Sequence, residues 1–414
     1  MLLVALFVAG YLAIVFELPL GVNKSASALL TGVACWTVVG GAQLDAHVAD
    51  LAGILFFLLG AMTIVELIDA HDGFELITAR ITTRRRRTLL VVVAGLAFVL
   101  SAVLDNLTTA IVMMSLVRKL AADDDDRMAL GGMVVIAANA GGAWSPIGDV
   151  TTTMLWIGGQ ISSIGIITHV VIPALVSVLV PLAWLLVRMR GEVSRPIAVE
   201  DGARLPTTPP ERQLVLAVGL GALLFVPAFK TLTHLPPFMG VLLGVGVLWI
   251  VTELLHKSKN DEHRGALTVG GALQRIDTPS ILFFLGILLA ISALQSDGLL
   301  TALAHRMDAA IGNTDAITMS IGLSSAVVDN VPLVAAAQGM YSLSTFPVDH
   351  EFWLFLSYCA GTGGSILIIG SAAGIAVMGI QRISFGWYVR KISLPALLGY
   401  LAGALVYLAQ AALR

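Results

Sequence analysis

Ser101-Ala102-Val103-Leu104-Asp105-Asn106 returns 224 positions later as Ser325-Ala326-Val327-Val328-Asp329-Asn330. Each copy lies inside a long apolar run, so an Asp-Asn pair interrupts what would otherwise read as a membrane helix. Two further matches keep the same order at nearly the same offset. Leu55-Phe56-Phe57-Leu58-Leu59-Gly60 answers to Leu282-Phe283-Phe284-Leu285-Gly286, and Asn139-Ala140-Gly141-Gly142 to Gly361-Thr362-Gly363-Gly364. Three ordered matches read as an internal duplication, with one repeat over 1–187 and a second over 212–414. The polar stretch 188–211, rich in Pro and Arg, reads as a cytoplasmic linker.

The surrounding chain fixes the solvent of this duplication. Of 414 residues, 57% are apolar and 12% charged, with a mean hydropathy of +0.91. A soluble domain carries roughly 25% charged residues, so this chain has too little polar surface for a globule in water. A soluble enzyme, a disordered chain and a nucleic-acid partner are excluded together. At about 20 residues per span there is room for roughly ten to twelve crossings. The net charge of −3 decides nothing, because placement of charge matters more than its sum. Cys35 and Cys359 are isolated, without metal-ligand spacing. Met1–Phe16 lacks the basic start and small-residue cleavage site of a leader and reads as a retained first span.

Runs long enough to cross fall near 2–19, 25–42, 51–70, 132–158, 163–187, 212–229, 236–255, 280–296, 353–380 and 392–413. Lys and Arg collect at 84–87, 118–119, 188–190, 257–275, 382 and 390–391, which the positive-inside rule assigns to the cytoplasm. The segment 88–117 has basic clusters at both ends and Asp105-Asn106 at its centre, so it reads as a re-entrant hairpin from the cytoplasmic side. The segment 316–343, centred on Asp329-Asn330, has no Lys or Arg between Arg306 and Arg382 and reads as a hairpin from the outside. The expected fold is an all-α polytopic membrane protein of inverted-topology repeats. It has about ten transmembrane helices, two re-entrant hairpins, two broken helices (132–158 and 353–380) and both termini outside. Inverted repeats of this kind build two gates around one midplane site.

Each hairpin is followed by a Gly-rich break. The first is Asn139 to Thr153, containing Gly141-Gly142, Ser145-Pro146 and Asp149; the second is Gly361-Thr362-Gly363-Gly364-Ser365 with Gly370-Ser371. Unwound backbone at membrane depth is tolerated only where it lines a cavity or is buried in protein. Freed carbonyls, hydroxyls and carboxylates are the hard oxygens that an alkali cation needs. A carboxylate at the bilayer centre costs at least about 2.5–3.5 kcal/mol. Asp105, Asp149 and Asp329 therefore need a function or a partner, and these core stretches hold no basic residue. They are the expected cation-binding cluster, at whose oxygens protons and cations compete. Ser371 stands where the second repeat would repeat Asp149. Asn106, Asn139, Asn330, Ser101 and Ser325 read as ligands or as groups that orient the carboxylates. Glu66 and Asp277 are candidate proton-linked groups near span ends. Glu17, Glu253 and the run Asp123–Asp126 read as solvated, and His71, His256 and His263 as cytoplasmic surface residues.

The runs 101–109, 139–154, 325–333 and 361–365 together resemble the NhaD-type sodium/proton antiporters. These belong to the ion-transporter superfamily with arsenite permeases and divalent anion/sodium symporters. The resemblance implies exchange of cytoplasmic Na⁺, and of Li⁺, for external H⁺ across the bacterial cytoplasmic membrane. It also implies a homodimer whose hairpin-bearing transport domain moves like an elevator against a scaffold, with no cofactor. Carried over by position, the transport residues are Asp105, Asn106, Asn139, Asp149, Thr151, Thr152, Ser325, Asp329 and Asn330, with Ser365 and Asp277 as looser matches. An arsenite permease is the alternative, since a neutral hydroxide tolerates acids. A dianion symporter fits less well, because two Asp-Asn tips would repel its substrate. An intramembrane enzyme lacks any Gly-x-Ser-x-Gly or His-Glu-x-x-His motif.

Overall fold

A computed structural model describes residues 1–78, 81–196, 207–257 and 265–413. His263 and residues 197–206 of the expected linker lie outside them. The described residues are helical, with no strand beyond one isolated bridge between Arg85 and Glu192. In chain order the principal helices are α1 (Leu2–Val15), α2 (Lys24–Val39), α3 (Leu44–Ala70), α4 (Arg86–Leu104), α5 (Asn106–Leu120) and α6 (Asp124–Ala143). There follow α7 (Val150–Ile157), α8 (Ser163–Arg188), α9 (Pro209–Thr233), α10 (Pro237–Leu255), α11 (Thr278–Ser296) and α12 (Leu299–Ile311). The last are α13 (Thr314–Ser324), α14 (Asn330–Met340), α15 (Glu351–Gly363), α16 (Ala372–Gln381) and α17 (Leu394–Ala412). Among the described residues seven helices are long and apolar enough to span a membrane, and α1, α2 and α16 are shorter apolar helices.

Both polar pairs break helices as their sequence implies. Asp105 stands between α4 and α5 at φ +79°, and its carboxylate caps α5 by accepting from the Thr108 amide at 2.9 Å and hydroxyl at 2.7 Å. The two arms return to the same end of the molecule. One short strap binds both: Val193 donates to the Arg84 carbonyl, Arg86 to Gly191, and Ala122 to Ser194, at 2.7–3.1 Å. The second hairpin closes the same way, since the Tyr341 hydroxyl after α14 reaches Asp308 of α12, just before α13 begins (2.9 Å). The breaks after α6 and α15 hold the Gly-rich stretches, so 124–157 and 351–381 are broken helices.

Glycine sets the spacing around both breaks in the same manner. A β-carbon on Gly148 would lie 2.6 Å from the Ser101 carbonyl oxygen, and one on Gly370 2.5 Å from that of Ser325. Backbones touch here because no side chain intervenes, the usual way helices approach closely in lipid. The helix pairs also correspond: α1 packs on α2 and α9 on α10, while α2 lies along α11 and α10 along α3. Across the middle, α5 of the first hairpin packs on α16, and α14 of the second on α7. Each hairpin is thereby seated against the broken helix of the other half.

Several basic residues gather at one end, tied by ion pairs. Arg86 binds Asp126 (2.9 Å), Lys119 binds Glu75 (2.9 Å), Arg212 binds Glu75 (3.0 Å) and Arg275 binds Glu66 (2.6 Å). Three readings change. The run Asp123–Asp126 is a helix start and not a loop: Asp123 caps α6, and while Asp123, Asp124 and Asp125 are exposed, Asp126 is buried against Arg86. His71 and His256 are not surface residues either; they are fully buried, ring on ring, with their Nε2 atoms 2.8 Å apart. The amphipathic helix α12 has no counterpart among the expected elements. Its Thr301, His305, Arg306 and Asp308 kept that stretch below a membrane pattern.

Candidate functional site

Four half-helices begin near the centre of the molecule, and a polar residue heads each one. Asp105 heads α5, Asp149 heads α7, Asp329 heads α14 and Ser371 heads α16. The positive end of a helix dipole favours an anion by about 0.3–1 kcal/mol in ordinary cases. This helps explain how carboxylates are accommodated here without a neighbouring arginine. Asp329 accepts from the Val331 amide at 3.1 Å, and Ser371 from the Gly374 amide at 3.2 Å. Asp149 departs from this pattern. Its side chain makes no cap; its Oδ2 accepts from the Thr151 hydroxyl at 2.9 Å and from Asn330 Nδ2 at 3.1 Å. The hairpin tip of the second half thus holds the carboxylate of the first.

A second polar chain crosses in the other direction. Asn106 Nδ2 donates to Asn139 Oδ1 at 3.0 Å, and Asn139 Nδ2 donates to the hydroxyls of Ser365 (2.9 Å) and Ser371 (2.8 Å). Asn139 is fully buried, and Asn106, Asn330, Asp149 and Ser365 nearly so. Every partner comes from a different stretch of chain: the α5 start, α6, the end of α15 and the α16 start. Unsatisfied polar groups are costly in this setting, so the chain of amides and hydroxyls fixes how the hairpin and the two broken helices sit together.

The remaining expected residues fall into three groups. Ser101 and Ser325 donate to the carbonyls of Ala138 (2.6 Å) and Ala360 (2.9 Å), a matched pair of links between each hairpin and the helix behind it. Thr152 sits beside them, bonded to the Gly142 carbonyl (3.3 Å) and the Ser357 hydroxyl (3.1 Å). Glu66 and Asp277 lie apart from both chains. Glu66 is paired with Arg275, and Asp277 caps α11 by accepting from Ser280. The carboxylates themselves are not gathered into one sphere. Asp105 and Asp329 both act electrostatically on Asp149, yet no trio of His, Cys, Asp and Glu among the described residues could hold one ion. Each acid stands at the start of a different half-helix, where Asp105 and Asp329 accept from cap amides and Asp149 instead meets Thr151 and Asn330. Ser371 is the residue that sequence reasoning left out of the site, although its offset to Asp149 marked the position.

A cavity of about 410 Å³ leads in from the end opposite the basic cluster, between α3 and α11 on one wall and α7 and α14 on the other. His47, Asp50, Ser292 and Gln338 give it a polar lining. At the basic end, Lys119 of α5 is instead drawn to Glu75 beside α3, and the space left there is about 150 Å³.

The chain is similar to known proteins over most of its length. A family model described as "Citrate transporter" matches residues 11–353. The chain is 52% identical to "Sodium/proton antiporter 1" of Arabidopsis thaliana over 98% of its own length and 71% of that protein's. It is 49% identical to "Sodium/proton antiporter 2" of the same plant, over 98% of each. It is 29% identical to "Na(+)/H(+) antiporter NhaD" of Alkalimonas amylolytica, over 98% of this chain and 89% of that one.

Proposed function

The chain belongs to the NhaD-type sodium/proton antiporter family, and on that premise we propose that it exchanges Na⁺ for H⁺ across the membrane it spans. The observation that carries the proposal is Asp149, a buried carboxylate held by Thr151 and by Asn330 of the opposite hairpin. A dehydrated Na⁺ needs hard oxygens. A carboxylate oxygen of Asp149, the Thr151 hydroxyl and a turned Asn330 amide would supply them. A proton on Asp149 removes the charge that holds Na⁺, so occupancy by one expels the other. Competition at one carboxylate is sufficient for exchange, provided that the neutralised carrier moves and the charged one does not. Asp105 and Asp329 head the flanking half-helices and would set the local charge, with Asn106, Asn139 and Ser365 holding the halves in register. Ser325 and Thr152 act through the positions of the breaks.

The domain reading follows the same division. Residues 1–187 and 212–414 form two inverted repeats. Their hairpins and broken helices make one moving body, and α1–α3 with α9–α11 make a scaffold. In the orientation that puts the basic end in the cytoplasm, the 410 Å³ cavity opens outward, with the Lys119–Glu75 contact closing the inner side. Movement of the hairpin body past the scaffold, as an elevator within a homodimer, would open the inner side in turn. Li⁺, with the same charge and coordination preference, would share the route.

The family description would favour a carboxylate substrate. Against that, both tips read Asp-Asn, and among the described residues no Arg or Lys is a hydrogen-bond partner of Asp149, Asn139 or Asn330. The test is dequenching of a pH-sensitive dye in everted vesicles of a strain without antiporters of its own. Na⁺, Li⁺, K⁺, arsenite and citrate are added in turn. Responses to Na⁺ and Li⁺ alone are expected. Silence to cations with transport of arsenite or citrate would overturn the proposal.

A further inference from the structure

Asp329 faces a small cavity of about 150 Å³, room for about five waters at ~30 Å³ each. Its walls come from two sides. Tyr11 and Glu17 border α1, Lys24 opens α2 and Phe283 lies on α11; Asp329 and Met378 belong to the second hairpin and broken helix. Lys24 is the only basic residue among the described residues that line it. Its placement is specific. The Lys24 amide donates to Glu17 Oε1 at 3.1 Å, which engages the nearer carboxylate through backbone. The ammonium itself lies over the Phe283 ring, 4.6 Å from the centroid, on the wall of the cavity that Asp329 shares. An aromatic face holds a desolvated cation well but supplies no countercharge. Two acids line this cavity: Glu17 already accepts from the Lys24 amide, and Asp329 is the acid that the hairpin presents across it.

We infer that Lys24 is a tethered counter-cation for Asp329, a positioning residue that Na⁺ displaces when it reaches the second hairpin tip. The consequence follows from where each partner is anchored. Lys24 stands on a helix pair, α2 and α11, that packs tightly backbone to backbone at Gly32 and Gly286. Asp329 stands on the hairpin. With no ion bound, their attraction keeps the hairpin against α1, α2 and α11, so the empty carrier stays in place. With Na⁺ at the tip, the attraction is cancelled and the hairpin is released. Lys24 therefore opposes Na⁺ binding and at the same time suppresses Na⁺ movement uncoupled from a counter-ion. The inference rests on reading Asp149 and the second hairpin tip together as the cation site.

The test uses the full-length protein in proteoliposomes. Lys24→Cys removes the ammonium, and aminoethyl methanethiosulfonate then restores one of similar reach on the same folded protein; native Cys35 and Cys359 are both buried. Lys24→Cys is expected to lower the KM for Na⁺ by about three- to tenfold, the scale of one partly screened charge pair. It should also raise uncoupled efflux of radiolabelled Na⁺. Amination, or Lys24→Arg in place of Cys, should return both values to within about twofold of wild type. An unchanged or raised KM in Lys24→Cys, or a lowered KM that amination does not reverse, would overturn the inference. Wild-type protein without any Na⁺ exchange would instead refute the cation-site reading itself, so the two failures are distinguishable.

Discussion

Gly141 and Gly363 are the positions where the account is most exposed to a simple substitution. A β-carbon on Gly141 would lie 2.2 Å from the Phe98 carbonyl oxygen, and one on Gly363 2.0 Å from that of Gly322. Neither oxygen can swing aside, because both belong to helix backbones, α4 and α13. Contacts of this kind do not fall below about 3.0 Å, so each Ala would push its hairpin arm away by roughly 1 Å. Overpacking of that order costs about 1–3 kcal/mol. For Gly141→Ala the same shift carries Asn106 away from Asn139, now at 3.0 Å, and a lost interhelical bond in a membrane adds about 0.6 kcal/mol. The cost is then about 1.6–3.6 kcal/mol for Gly141→Ala and about 1–3 kcal/mol for Gly363→Ala. A 1 Å error at a transport site should also slow exchange by more than about tenfold, given that such errors cost enzymes up to ~100-fold. Gly95→Ala and Gly379→Ala are the controls, since a β-carbon there meets nothing within 4 Å. Replacing an interior helical Gly by Ala at such a place gains up to about 1 kcal/mol. The assay is heating of detergent-solubilised protein followed by gel filtration of what survives, together with vesicle exchange. Gly141→Ala and Gly363→Ala should fall several degrees below wild type, with the controls at or above it. If all four variants behave alike, the close-packed frame inferred for both breaks is wrong.

Other perturbations separate site from support. Asn139→Ala strips three hydrogen bonds from Asn106, Ser365 and Ser371, and should lower thermal survival by about 2 kcal/mol or more while abolishing exchange. Asn139→Asp, which the two serine hydroxyls can meet by turning to donate, should keep the fold but shift the Na⁺ KM. Glu66→Gln breaks a half-exposed pair with Arg275 worth about 0–1 kcal/mol; exchange within about twofold of wild type is expected, and its loss would return Glu66 to the proton path. On pH the sign is fixed by competition. Na⁺ needs the ionised carboxylate, so acidification must raise the apparent KM, by about tenfold per pH unit for each competing proton. A KM independent of pH would mean that Na⁺ and H⁺ use different groups.

The helix breaks and the hairpins were legible because their signals are local. An Asp-Asn pair or a Gly-Gly run inside an apolar stretch is hard to reconcile with an unbroken membrane helix, and repetition at nearly one offset doubled the signal. The pairing of partners was not legible, since it depends on where the two halves meet. Nothing in the sequence says that Asn330 reaches Asp149 of the other half, or that Asn139 is shared between Asn106 and Ser371. The positions of the three acids at the helix breaks also suggested one cluster, whereas each heads a half-helix of its own and only Asp105 and Asp329 cap theirs. Charged residues misled for the opposite reason. Asp126, His71 and His256 read as solvated until Arg86 and the histidine pairing were seen to bury them.

The central claim is that Na⁺ and H⁺ exchange through Asp149 as it is held by Thr151 and Asn330. The direct measurement is simultaneous uptake of radiolabelled Na⁺ and internal pH in proteoliposomes of purified protein, for wild type, Asp149→Asn and Asn330→Ala. The account predicts that external Na⁺ enters acid-loaded wild-type vesicles while their interior turns alkaline. Both fluxes should be absent in Asp149→Asn, and the Na⁺ KM should be raised in Asn330→Ala. Na⁺ uptake without proton efflux, or wild-type fluxes in Asp149→Asn, would contradict it.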